Sequence, residues 1–115
     1  EKKKSIKLYT PGKNSIEIND DGKCIRLCDQ HKNEIIMNDS GITLNSSKDL
    51  MMKARGNIVL DAGMKADIKA KSDTSIEGLN VKAAAKVSIS VSGNAKAELS
   101  ASGQTVVKGA MVMIN

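Results

Sequence analysis

The stretch Ile58-Val59-Leu60-Asp61-Ala62-Gly63-Met64-Lys65-Ala66-Asp67-Ile68-Lys69-Ala70 is built largely from residues that favour helices. Its apolar side chains nevertheless fall on every second position. Ile58, Leu60, Ala62, Met64, Ala66, Ile68 and Ala70 share one parity, and Asp61, Lys65, Asp67 and Lys69 share the other. A helix buries positions three and four apart, whereas alternation is the period of an extended strand.

The alternation extends well beyond this stretch. From Ile42 to Gly78, apolar residues hold 13 of the 19 even positions and 2 of the 18 odd ones, too sustained a bias for chance. From Leu79 to Asn115 the parity reverses: 14 of 19 odd positions are apolar and none is charged, so the register slips by one residue. A slip of one turns every later side chain to the opposite face, and a bulge or bend has to absorb it. Glu77-Gly78-Leu79-Asn80 is the natural place.

Within the alternation runs a period of eight. Ile42, Leu50, Ile58, Ala66 and Thr74 form one column, and Leu44, Met52, Leu60, Ile68 and Ile76 form the next. A third column is uniformly small: Ser46, Ala54, Ala62, Ala70 and Gly78. After the slip the columns resume with Val81 and Ile89, with Ala83 and Val91, and with the small Ala85, Gly93, Ala101 and Gly109. Fixed periodicity of this kind means stacked repeats. Residues 1–41 follow another rule, a neck of strands and turns. There Asn14-Ser15-Ile16-Glu17-Ile18-Asn19-Asp20-Asp21-Gly22 is echoed nineteen residues later by Asn33-Glu34-Ile35-Ile36-Met37-Asn38-Asp39-Ser40-Gly41. Asn/Asp/Gly clusters close both copies as turns.

Composition limits what such a chain can build. Its 115 residues include no Phe, no Trp and one tyrosine, Tyr9, so the bulk that fills the roughly 10 Å between packed sheets is missing. Eight extended residues span at most about 27 Å, enough for a short strand and a corner but too few to close a coil around a core. The expected fold is therefore all-β: an intertwined homotrimeric triple-stranded β-helix, a triangular prism built from octad repeats over residues 42–115. Large columns face inward, and the small column sits where the walls converge or bend. At about 4.8 Å per layer the repeats make a rod of about 45 Å.

Other function classes find little support. The net charge of +5 is spread among acidic residues, with a single tyrosine and no Phe or Trp for base stacking, so nucleic-acid binding is not expected. No apolar run is long enough to span a membrane. The opening Glu-Lys-Lys-Lys-Ser does not resemble a signal peptide, which gives the expectation of a cytoplasmic protein or a C-terminal piece of a longer chain. Cys24 and Cys28, four apart on a strand, lie about 13 Å from each other, too far to share one metal ion with His31. Asp20 and Asp21 belong to a turn and lack the spread of oxygen ligands that calcium needs. No catalytic residue, cofactor or metal site is expected, and the chain is not read as an enzyme.

The tandem octads, the run Ser75-Ile76-Glu77-Gly78-Leu79-Asn80-Val81, the segment from Ala95 to Thr105 and the closing Val107-Lys108-Gly109-Ala110-Met111-Val112-Met113-Ile114-Asn115 resemble the C-terminal needle of the VgrG family. These are the spike proteins of type VI secretion systems, similar in build to the spikes of contractile phage tails. The resemblance implies a membrane-piercing needle assembled in the bacterial cytoplasm and ejected to the exterior or into a target cell. It further implies an upstream base docked on the Hcp tube and a PAAR-repeat cap at the tip. In the last octad Val106, Ala110, Val112 and Ile114 make the outward parity apolar as well, so Met111, Val112, Met113, Ile114 and Asn115 are the expected cap-binding residues. The competing reading is a trimeric stalk of a tail fibre or adhesin.

Overall fold

The computed structural model describes residues 4–115 and contains strands but no helix. Five strands form one antiparallel meander in the order β1 (Ser5–Tyr9), β2 (Ser15–Asn19), β3 (Cys24–Cys28), β4 (Glu34–Asn38) and β5 (Gly41–Asn45). Each is five residues long with apolar side chains at its second and fourth positions. Ile36, at a third position, departs from that pattern and lies on the opposite face beside Arg26 and Thr43. Because the alternation is kept through every pairing, the register places like opposite like. Ile6 pairs with Ile18, Ile18 with Ile25, Ile25 with Met37 and Met37 with Ile42. A second row runs through Leu8, Ile16, Leu27, Ile35 and Leu44.

Two kinds of connection alternate. Residues 10–14 and 29–33 form matching five-residue loops reversed at a lysine, in each of which the first N–H donates to the last carbonyl and the fourth N–H donates to the first carbonyl. Lys13 and Lys32 both have φ 67°. The β2–β3 turn spans residues 20–23, with the Gly22 N–H donating to Asn19 Oδ1 at 2.8 Å. The β4–β5 turn is two residues shorter, and Gly41 follows it at φ 118°, a conformation that side chains rarely tolerate. Shortening by two keeps parity, so Ile42 and Leu44 stay on the face of Ile35 and Met37. These two residues open the long alternating region and are, at the same time, the last rung of the sheet.

Beyond Asn45 the chain forms no strand ladder with itself. It has no helix or strand there and bends at 47–48, 55–56, 63–64, 71–72, 79, 86–87, 94–95, 102–103 and 110–111. The bends begin eight residues apart except for the single interval of seven between 79 and 86. A small residue stands directly before every one: Ser46, Ala54, Ala62, Ala70, Gly78, Ala85, Gly93, Ala101 and Gly109. At Gly93 the reason is steric, since a Cβ would collide with the carbonyl oxygen of Lys96.

The chain divides into two units, residues 1–65 and 66–115. The first holds the sheet and the bends at 47–48, 55–56 and 63–64; the second holds the remaining bends and no strand. None of the described residues is buried. The all-β expectation holds in the five-stranded sheet, and neither unit contains a helix among the described residues.

Gly41 offers a direct check on the turn. Gly41→Ala places a Cβ on a backbone at φ 118° and should destabilise the fold by about 1–2 kcal/mol. Gly56→Ala, with nothing within 4 Å of the new carbon, should change the thermal midpoint little. Equal midpoints for the two variants would refute this turn geometry.

Candidate association face

One face of the sheet is almost wholly apolar. The ten side chains of the two rows lie across all five strands, and those of Ile18, Ile25, Leu27 and Ile35 are still 38–41% exposed even in the middle of the sheet. The second row, joined by Leu50, lines a trough that ends at Ser46 and Asp49. Removing one Ile or Leu side chain from water is worth about 1.5–3 kcal/mol. Even half of that, over ten residues, rivals the net stability of an ordinary small domain, about 5–15 kcal/mol. Covering this face is the largest stabilisation open to the sheet.

The other face is polar and already satisfied. Lys7 Nζ lies 3.7 Å from Glu17 Oε1, and Arg26 donates to Glu34 Oε2 from Nη2 at 2.8 Å and from Nε at 3.3 Å. Glu34 also accepts from Asn45 Nδ2 at 3.3 Å, and the Cys28 thiol approaches it at 3.8 Å. The Arg26 hydrogen bond, then that of Asn45, holds the Glu34 carboxyl below the usual glutamate range, and Glu34 in turn raises the Arg26 guanidinium. Exposed ion pairs contribute about 0–1 kcal/mol, so the larger stabilisation still open to the sheet lies on its apolar face.

Cys24 and Cys28 stand at opposite ends of β3 on the polar face, both as free thiols. His31 lies exposed in its loop, its Nε2 3.4 Å from Gln30 Nε2. Asp29 accepts the His31 and Asn33 N–H groups at 2.8 and 2.9 Å and the Asn33 amide at 2.8 Å, and these bonds, led by the Asn33 side chain, lower its pKa. Asp20 and Asp21 occupy the β2–β3 turn. Among the described residues no group of three or more His, Cys, Asp or Glu is placed to hold a metal ion.

Met111 completes the bend at 110–111 and Val112, Met113, Ile114 and Asn115 follow it; all five are exposed, Met113 at 86% and Ile114 at 92%. The sequence reading looked to this last segment for a binding surface and assigned none to the first 41 residues. The Ser-Ile-x-Ile and Cys-Ile-x-Leu alternation there was the signal for the sheet's apolar face.

The family model for the phage baseplate V C-terminal trimerisation domain matches residues 5–64, from the first residue of β1 to the bend at 63–64. That is more than half of the chain, and the protein belongs to this family. It is related to phage spikes, and its role is structural and trimeric, of the spike type. No curated protein matches the chain.

The Glu34 ion pair makes acid stability a readout of the polar face. A carboxylate whose pKa is depressed by folding adds stability that is complete above the ordinary glutamate range and is lost as pH falls through the lower folded value. Glu34→Gln should therefore flatten the acid limb of a plot of thermal midpoint against pH. An acid limb as steep as that of the wild type would contradict the pairing.

Proposed function

We propose that this chain is the needle of a VgrG-type spike of a type VI secretion system. Three copies wind into an intertwined triple-stranded β-helix, residues 42–115 forming its octad shaft and the sheet its neck. The observation that most supports this reading is the regular bending beyond Asn45, with a small residue before each bend and backbone left unladdered between bends. An extended segment with an eight-residue period has to find its hydrogen-bond partners in other chains, and three walls meeting at small residues supply them. Family membership supports the trimer.

The function of such an object is mechanical. Strands paired to neighbouring chains at every level resist buckling, and the Lys, Asp and Glu residues of the outer parity keep the shaft solvated. Sheath contraction drives the needle through the target envelope, with a base in the full-length protein seated on the Hcp tube. The spike assembles in the bacterial cytoplasm and leaves it on firing. No step requires a cofactor, a metal or a catalytic side chain, and nucleic acid has no part in it.

At the distal end Met111, Val112, Met113, Ile114 and Asn115 form, in threefold copy, an apolar platform for a PAAR-repeat cap. Their exposure supports this role. A pull-down with PAAR-repeat proteins tests the reading. The intact trimer should retain its cap, and the chain truncated after Gly109 should lose it while remaining trimeric. Full retention by the truncated chain would refute the platform, and failure of the intact trimer to retain any PAAR protein would favour a tail-fibre or adhesin stalk.

A further inference from the structure

The bend at 47–48 differs from the later ones in being tied to the sheet. Asn33 Oδ1 accepts the Ser47 N–H at 2.8 Å and its hydroxyl at 3.2 Å. Ser46 Oγ accepts the Lys48 N–H at 3.3 Å and donates to the Asp49 carbonyl at 2.8 Å. The same arrangement stands one loop earlier, where Asn14 Oδ1 accepts the Gln30 N–H at 2.9 Å and Asp29 Oδ1 accepts the His31 N–H at 2.8 Å. In both places the last residue of one loop grips the second residue of the next segment. The first residue of that segment, directly after a strand, caps the N–H two positions on.

We infer that the bend at 47–48 is a third copy of the sheet's loop, and that Asn33 is the positioning residue fixing where the extended region leaves the sheet. The third copy diverges at its fourth residue. Lys13 and Lys32 sit there in the left-handed conformation and send the chain back into β2 and β4, whereas Asp49, at the equivalent place, has no positive φ and the chain runs on. Holding Ser47 fixes the parity of Leu50 and Met52, because a shift of one residue would turn both to the opposite face. The clamp stands on the sheet alone, while its consequence for the facing of the first octad rests on the needle reading above.

Amide hydrogen exchange on the intact protein, with its mass followed by light scattering, tests this. In the wild type the Ser47 amide should exchange slowly. Asn33→Ala should speed it about tenfold, the equivalent of one hydrogen bond, without reaching the Cys24–Cys28 amides. Asn14→Ala should instead speed Gln30 and leave Ser47 protected. A wild-type Ser47 amide exchanging as fast as a free peptide would overturn the clamp, as would equal Ser47 rates in wild type and Asn33→Ala. A monomeric mass with these exchange changes intact would remove the needle reading and leave the clamp standing.

Discussion

The constraint on which everything else depends is that a residue period of eight cannot close on itself. Eight extended residues reach at most about 27 Å, so a single chain can lay down a wall and turn a corner but cannot return to pair with its own previous wall. Beyond Asn45 the backbone forms no strand ladder, and the apolar columns stay exposed. In the proposed needle, threefold winding supplies both a ladder and a cover. On that reading the absence of Phe and Trp has a physical reason, because three walls converging on one axis leave room for Ile, Leu and Met but not for large rings.

The sheet and the extended region obey this constraint in different ways. In the sheet, left-handed lysines and a glycine stand at the reversals between successive five-residue strands, so the backbone pairs within one copy and the apolar face is left uncovered. Past Asp49 reversal stops, and in the proposed needle both the backbone and the side chains depend on neighbours. On that reading the domain begins with local pairing, which forms cheaply, and proceeds to pairing between chains.

Much of this was legible in the residues. Strict alternation around Leu60 and Ile68 specified extended chain, and the small column from Ser46 to Gly109 anticipated that corners need small side chains. The parity change at Gly78 corresponds in place to the one bend followed by an interval of seven. What could not be read was the pairing order of the first forty-five residues, because Ser-Ile-x-Ile strands of equal length fit several orders and only the loops decide among them. Nor could the association face be seen there, since its two rows come together only when Ile16 meets Leu27 and Ile18 meets Ile25 across a fixed register. The Asn14 and Asn33 clamps were hidden for the same reason: each joins residues fourteen or sixteen apart through a side-chain oxygen, a contact that no local pattern encodes.

The most direct test of the account is the mass of the purified chain in solution. Static light scattering at micromolar concentration should give three times 12.2 kDa, with no folded species below it on dilution. A monomer of 12.2 kDa that keeps its β-sheet signal and unfolds cooperatively would contradict the account, since it would have found within one chain a cover for a face that here has none.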